Sequence, residues 1–137
     1  QENLTLPPVV RSGGMSLEEI YTMFPNLYER RFSQGTKLSG GEQQMLAMAR
    51  ILRTGANMLL LDEITEGLAP VIVETLGEVL VALKKKGLTI VLAEQNFHFA
   101  ASLADRHYVL EYGQIVEEIS SHELSSKRAL LDHYLCV

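Results

Sequence analysis

The chain has one cysteine, no tryptophan and no long apolar run among its 137 residues. Because Cys136 has no second cysteine to pair with, an internal disulfide and a cysteine-rich metal site are excluded, and a reducing compartment is the simplest interpretation. No apolar stretch approaches the roughly 20 residues that a helix needs to cross a bilayer, and the first residues lack the basic and apolar regions of a signal peptide. We therefore expect a soluble domain.

An excess of basic residues is also missing. The chain has 12 Lys and Arg against 17 Asp and Glu, which gives a net charge of -5. Such a balance argues against a surface that binds nucleic acid. A hydrophobic content of 47% over this length is enough for one compact domain, or for a large piece of one, but not for two.

The first part of the chain, over about residues 11–55, has the pattern of helices. Ser16 and the glutamate three residues later form a capping box, which predicts a short helix that ends before Pro25. Apolar residues recur at helical spacing over residues 42–54, and Gly55 is suited to close that second helix. The sequence therefore predicts an N-terminal helical segment.

From residue 56 onward, short apolar runs alternate with helical stretches. Continuous apolar runs predict strands that are buried in a parallel sheet, the first of them on both faces. Tyr112 and Gly113 predict a hairpin turn between the last two strands. Strands are predicted at residues 58–61, 89–93, 107–111 and 115–119, and helices at 70–86, 97–104 and 122–135. This order predicts an α/β fold with a mostly parallel sheet, within one domain over residues 1–137.

Polar residues follow the first two predicted strands. Asp62 and Glu63 end the first strand, and Glu94 and Gln95 follow the second, so we expect them to converge on one edge of the sheet. An aspartate in this place can hold Mg²⁺, which prefers oxygen ligands, and a second carboxylate can polarise a water for attack on a phosphate. On its own, an Asp-Glu pair is better explained as a solvated strand end.

A glycine-rich helix entry precedes these acids by about 20 residues. Its sequence is Leu-Ser-Gly-Gly-Glu-Gln-Gln, from Leu38 to Gln44. Adjacent glycines let backbone amides approach a phosphate, the helix N-terminus adds partial positive charge, and Ser39 offers a hydroxyl donor. Ser39 is equally suited to be a plain N-cap.

Together, these motifs resemble those of ATP-binding-cassette (ABC) proteins. Residues 38–44 are similar to the family's signature motif, and Leu59-Leu60-Leu61-Asp62-Glu63 is similar to its Walker B motif. Gly67-Leu68-Ala69-Pro70 and Glu94-Gln95-Asn96 resemble the subclass that serves branched-chain amino acid uptake. The resemblance implies the C-terminal portion of a P-loop NTPase-like fold.

The resemblance also implies roles for the two motifs. Ser39, Gly40, Gly41 and Gln43 would bind ATP held by the opposite subunit of a head-to-tail dimer. Asp62 would hold Mg²⁺ through water. The neighbouring Glu63 would be the general base, and Ile64 replaces the proline that is usual after it, which makes the conformation of this turn an open question.

Further roles fall on the loop after the acids and on the second strand. Glu66, Gly67 and Ala69 would belong to the loop that links the two sites across the dimer. Gln95 would occupy the catalytic switch position, where a glutamine can hydrogen-bond a phosphate but cannot carry a proton. Asp105 matches the family too, and a simple role at a helix end explains it equally well.

Histidines and methionines are assigned structural roles. No two histidines have metal-ligand spacing, so we expect surface or boundary positions for His98, His107, His122 and His133. We expect core positions for Met45, Met48 and Met58.

The phosphate-binding sequence Gly-x-x-x-x-Gly-Lys-Ser/Thr is absent from the printed sequence. The opening Gln1-Glu2-Asn3-Leu4 resembles the segment that follows the family's glutamine loop. We therefore expect a truncated cassette that binds ATP weakly by itself, does not hydrolyse it, and leaves apolar sheet surface uncovered.

The resemblance implies the ATPase subunit of an importer for branched-chain amino acids, on the cytoplasmic face of a prokaryotic membrane. Its partners would be a second ATPase subunit, membrane permease subunits and an external substrate-binding protein. An importer of urea or short amides is an alternative, as is a non-catalytic module that lends its signature to a partner ATPase. A cassette of DNA repair or translation would have basic surface or long insertions, and neither is visible.

Overall fold

The computed structural model describes residues 1–127, 130, 131 and 134. They form two compact units, Gln1–Leu92 and Ala93–Val137. Among these residues, no helix is long and apolar enough to span a bilayer. His133, Cys136 and much of the last predicted helix lie outside the described residues.

The first unit begins with short helices, α1 (Glu2–Thr5), α2 (Leu17–Met23) and α3 (Pro25–Glu29). The predicted capping box of α2 is confirmed, because Ser16 Oγ accepts the Glu19 N–H at 3.2 Å and the Ser16 N–H donates to Glu19 Oε2 at 2.8 Å. Pro25 ends α2 as predicted, but it also begins α3, which the sequence did not predict. A proline suits the first turn of a helix because the amide it lacks would have no helical partner there.

Helix α4 (Gly40–Leu52) follows a 3₁₀ turn at Gly35–Lys37 and forms the centre of the first unit. Its apolar face packs with α1 and α3, and Asn26 Nδ2 of α3 donates to Met45 Sδ at 2.9 Å. The core of this region consists of Leu4, Ile20, Phe24, Leu27, Met45, Met48, Ala49 and Leu52. The core positions predicted for Met45 and Met48 are confirmed.

Strands β1 (Met58–Asp62) and β2 (Thr89–Ala93) form a two-stranded parallel sheet and are joined by α5 (Pro70–Lys85). Leu59 and Leu61 are buried, whereas Leu60 is 71% exposed and Val91 is 53% exposed. Successive side chains of a strand point to opposite faces of the sheet. The described residues cover only one face of the sheet that β1 and β2 form. The prediction of burial on both faces is therefore wrong here, as is the core position predicted for Met58, which is 52% exposed.

The second unit contains α6 (Phe97–Leu103) and an antiparallel hairpin of β3 (Arg106–Glu111) and β4 (Gln114–Ser120). Tyr112 and Gly113 form the predicted turn with φ of 48° and 76°, as a type I′ turn requires. The buried residues of the second unit include Phe99, Leu103 and Ile119.

Two further predictions concern the second unit. His98 and His122 are exposed, as expected, and His107 is half-buried, with burial lowering the pKa of its imidazole. The helix predicted from residue 122 is wrong over residues 122–127, which form turns. Hydrogen bonds to the carbonyl three residues earlier, from the Glu123 N–H to Ser120 at 3.0 Å and from the Ser126 N–H to Glu123 at 3.1 Å, are typical of such turns.

Candidate functional site

The glycine-rich segment forms the N-terminus of α4. Ser39 is the N-cap: its Oγ accepts the Glu42 N–H at 3.3 Å, and its own N–H donates to Glu42 Oε2 at 2.7 Å. The helix begins at Gly40, two residues before the predicted start. Its first internal bond runs from the Gln43 N–H to the Ser39 carbonyl at 2.9 Å, so the amides of Gly40 and Gly41 precede the helical hydrogen-bond pattern. Ser39 and Gly40 are exposed, an arrangement that can bind an anion.

Arg30 connects this cap to the end of α3. Its Nε lies 3.3 Å from Glu42 Oε1. The bond from the Ser39 N–H contributes most to holding the pKa of Glu42 below its ordinary value of 4.5, with smaller contributions from the Ser39 hydroxyl and Arg30, while partial burial opposes them. Arg30 could not be identified from the sequence, because its pairing with Glu42 depends on how α3 packs beside α4.

We predict that this cap stabilises the protein in a pH-dependent way. A carboxyl pKa that is lowered by folding contributes stability above its ordinary value of 4.5, and this contribution is lost as the pH falls through the folded pKa. Glu42→Gln keeps an acceptor for the Ser39 N–H but loses the charge, so it should lower the free energy of unfolding by about 0.5 kcal/mol near pH 7. The gap from wild type should narrow as the pH falls below 4.5, as measured by urea denaturation across pH. Glu19 titrates in both proteins and cancels in the comparison. A gap that does not change with pH would contradict the assignment.

Gln43 is exposed, and its side chain folds back to the segment before the helix. Its Nε2 donates to the Leu38 carbonyl at 2.9 Å. This bond fixes the backbone that leads into Ser39. A direct contact between Gln43 and nucleotide stays a prediction.

The two glycines of the motif have different surroundings. A Cβ built on Gly40 would lie 3.6 Å from Leu68 Cδ2, which is an ordinary contact distance. A Cβ on Gly41 would lie 2.6 Å from Ile72 Cγ2, which is a steric clash. The N-terminus of α4 therefore packs closely against residues 66–69 and the first turn of α5.

The acids at the end of β1 lead into that same loop. Asp62 is exposed, and Glu63 is half-buried with a left-handed φ of 48°. A left-handed glutamate is strained, and such residues occur preferentially at functional sites. Hydrogen bonds from the Glu66 N–H to the Glu63 carbonyl, at 3.2 Å, and from the Leu68 N–H to the Thr65 carbonyl, at 3.3 Å, close the turn.

Ile64, which replaces the family's proline, anchors this turn. It is 6% exposed, and Thr65 beside it is 8% exposed. A proline at this position would push Glu63 out of the helical region and towards an extended conformation. The isoleucine is thus compatible with the left-handed Glu63, and the exposed Glu66, Gly67 and Ala69 form the outer side of the loop.

Asp62 is exposed at the end of β1, and its role as a magnesium ligand stays a prediction. Mg²⁺ keeps several waters and binds through one or two carboxylates together with substrate phosphates. Within the described residues, no group of three or more His, Cys, Asp or Glu is placed to hold a metal ion. One exposed carboxylate at a strand end nevertheless fits a cation shared with a nucleotide.

Gln95 and Asn96 lie in the second unit, between β2 and α6. Gln95 is exposed. Asn96 is the N-cap of α6, and its Oδ1 accepts the Phe99 N–H at 3.2 Å. The Glu-Gln-Asn segment therefore contains a structural cap, and the switch role of Gln95 stays a prediction.

Comparisons with known proteins match this site. Residues 14–66, which include the signature and the acids, match the ABC transporter family. The chain is 41% identical over 121 residues to a high-affinity branched-chain amino acid transport ATP-binding protein of Pseudomonas aeruginosa, covering 88% of this chain and 52% of that protein. It is 36% identical to an arginine transport ATP-binding protein of Bacillus subtilis, covering 75% of this chain and 45% of that protein. The chain spans about half the length of these relatives.

Solved structures agree on the fold. A nucleotide-free ATP-binding cassette from an ABC transporter superposes with a TM-score of 0.72 at 26% identity, over 87% of this chain and 47% of that chain. A dimeric, post-hydrolysis ATP-binding cassette bound to ADP and Pi superposes with a TM-score of 0.61 at 25% identity, over 81% of this chain and 51% of that chain. The described structure has the α/β cassette fold of P-loop NTPases. The chain therefore belongs to the ABC transporter family, as part of its ATP-binding domain.

Proposed function

We propose that this chain supplies the signature face and the hydrolytic carboxylates of an ATPase that drives amino-acid import. The observation that carries the proposal is the packing of the N-terminus of α4 against the loop that follows Asp62 and Glu63. The proposed phosphate-binding amides at the N-terminus of α4 thus lie in contact with Leu68 of the turn that follows the two carboxylates and with Ile72 beyond it. The match of the same residues to the ABC transporter family supports this assignment.

In the proposed mechanism, Ser39 donates its hydroxyl and Gly40 its amide to the terminal phosphate of ATP bound by a second subunit. Oγ of Ser39 already accepts the Glu42 N–H, so its hydroxyl proton is directed away from the helix. Gly41 and Gln43 complete this face, and Glu66, Gly67 and Ala69 form the loop that contacts the other subunit.

The second part of the mechanism concerns the residues that follow the strands. Asp62 would hold Mg²⁺, which would supply positive charge to neutralise the phosphates. Glu63 accepts a proton from the attacking water, and Gln95 hydrogen-bonds the phosphate. We expect the chain alone to bind ATP weakly, because these 137 residues do not contain the phosphate-binding sequence Gly-x-x-x-x-Gly-Lys-Ser/Thr.

The proposed transport substrate is a branched-chain amino acid. The 41% identical P. aeruginosa relative and a 39% identical probable LivF protein of Archaeoglobus fulgidus are both described as branched-chain amino acid transport proteins. The B. subtilis relative is described as an arginine transport protein, so competition of labelled leucine uptake by leucine, arginine and urea tests the assignment. The proposed partners are a second ATPase subunit, permease subunits and an external binding protein, at the cytoplasmic face of a prokaryotic membrane.

The proposed activity is best tested in a chimaeric cassette, in which the part of the P. aeruginosa relative that this chain does not match is joined to residues 1–137. In a head-to-tail dimer, Ser39 of one subunit completes the site that contains Glu63 of the other. We predict that Ser39→Arg and Glu63→Gln each abolish ATP hydrolysis, and that mixing the two variant proteins restores about a quarter of the wild-type activity. The reason is that half of the dimers then contain one intact site.

Two outcomes would contradict this proposal. If mixing restores no activity although the variants form mixed dimers, the signature does not act across the dimer. If the wild-type chimaera binds ATP and dimerises but does not hydrolyse it, the non-catalytic module becomes the better explanation. Ser33→Arg, an exposed serine before the motif, is the matched control and should leave hydrolysis unchanged.

A further inference from the structure

The N-terminus of α4 contains one glycine that is open and one that is enclosed. Gly40 is exposed, and an added Cβ would make only an ordinary contact at 3.6 Å from Leu68 Cδ2. Gly41 is buried, and an added Cβ would meet Ile72 Cγ2 at 2.6 Å, Cγ1 at 3.4 Å and Cβ at 3.5 Å. The branched side chain of Ile72 therefore lies directly against the backbone of Gly41.

This contact joins two parts of the site that are distant in sequence. Gly41 is in the first turn of α4, next to Ser39, and Ile72 is in the first turn of α5. The Ile72 N–H donates to the Ala69 carbonyl at 2.9 Å, so Ile72 is tied to the end of the loop over residues 66–69. A shift of α4 at Gly41 would move this loop, because well-packed contacts transmit displacement.

We propose that Ile72 is a positioning residue, which couples the signature at Ser39 to the loop over residues 66–69 through its contact with Gly41. This inference rests on the proposed function, in which both segments face the second subunit. Gly41 is needed at this position because only a residue without a side chain leaves space for Ile72. The amide of Gly41 lies at the N-terminus of α4, whereas its Cα faces the Ile72 side chain. We call this contact between Gly41 and Ile72 the joint.

The first test uses the 137-residue chain and asks whether the contact between Gly41 and Ile72 links α4 to the loop over residues 66–69. Alanine is the better helix former, so destabilisation by Gly41→Ala reports the clash. We expect Gly41→Ala to lower the Tm by about 5 °C and to raise amide hydrogen exchange at residues 66–68 on the order of tenfold. Adding Ile72→Ala, which removes Cγ1 and Cγ2, should reverse at least half of both changes.

Three variants serve as controls for this test. Gly40→Ala should not lower the Tm, since its Cβ has space. Val73→Ala, which truncates the half-buried neighbour of Ile72, should not rescue Gly41→Ala. Gly55→Ala, at the far end of α4, should lower the Tm without a selective rise in exchange at residues 66–68.

The second test uses the chimaeric cassette and asks whether the joint positions the site. Gly41→Ala should lower kcat for ATP hydrolysis on the order of tenfold with a smaller change in KM. Adding Ile72→Ala should restore part of this kcat, because the Cβ of residue 41 then occupies space that the Ile72 side chain leaves. If Ile72→Ala restores the Tm and the exchange but not kcat, Gly41 acts only through the nucleotide, and the positioning role is overturned.

The role of the Gly41–Ile72 contact and the proposed function are contradicted by different results. A wild-type Tm for Gly41→Ala, or equal rescue by Val73→Ala, would overturn the joint, whatever the chimaera does. An inactive wild-type chimaera would refute the proposed function, while exchange at residues 66–68 would still decide whether Ile72 positions the loop.

Discussion

Glu63→Gln in the chimaeric cassette should lower kcat for ATP hydrolysis by about 100- to 10,000-fold, with little change in the KM for ATP. A glutamine has nearly the same size as glutamate, but its amide cannot accept a proton from the attacking water. A steady-state phosphate-release assay measures this loss. The effect should fall on kcat because the proposed role of Glu63 is limited to the chemical step.

The backbone at Glu63 makes the glutamine variant a clean test. The residue has a left-handed φ of 48°, a strained conformation that glutamate and glutamine adopt at similar cost. The Tm of the variant should therefore stay close to that of the wild type. Glu63→Gly, which removes the carboxylate altogether, should also abolish hydrolysis.

Glu74→Gln is the control for Glu63→Gln. Glu74 is an exposed glutamate on α5, and Glu74→Gln should leave kcat unchanged. If Glu63→Gln kept more than half of the wild-type kcat, the proton acceptor would have to be a different group.

The helix caps were predictable from the sequence because their signals are local. Ser16 and Ser39 each precede a glutamate at the third helical position, and both capping boxes form. The spacing alone specifies the bonds, since both partners lie within one turn. The turn at Tyr112 and Gly113 was predictable for the same reason, because Gly113 readily adopts the positive φ that the second residue of a type I′ hairpin turn requires.

The contacts between elements were not predictable in this way. The clash that a side chain on Gly41 would have with Ile72 depends on the packing of α4 beside α5, which no local pattern encodes. The exposure of Leu60 and Val91 was missed for a related reason. An apolar run predicts a strand, but it does not tell which faces of the sheet other elements cover.

A backbone junction at the C-terminal end of α4 also went unpredicted. The N–H groups of Val10 and Arg11 donate to the Thr54 carbonyl at 2.8 and 3.0 Å. Arg53 adds bonds from Nε to the Leu4 carbonyl at 2.8 Å and from Nη1 to the Met15 carbonyl at 2.9 Å. This junction joins the first residues of the chain to the helix that contains the signature.

Gly55→Ala should be among the most destabilising single substitutions in this junction. Gly55 has a φ of 80°, and a Cβ there would lie 2.3 Å from the Arg11 carbonyl oxygen. Both the left-handed conformation and the clash with backbone oppose a side chain, and backbone cannot rotate away as a side chain can. We expect a loss of about 2–4 kcal/mol in the free energy of unfolding, measured by urea denaturation of the 137-residue chain.

Neighbouring glycines separate the two causes of that loss. Gly13 has a φ of 96° with nothing within 4 Å of an added Cβ, so Gly13→Ala should show only the conformational cost of about 1 kcal/mol. Gly14 does not have a positive φ, but a Cβ there would lie 2.2 Å from the Arg53 carbonyl oxygen, so Gly14→Ala should show only the clash. If Gly55→Ala were no more harmful than Gly13→Ala, the close contact with Arg11 would not contribute to stability.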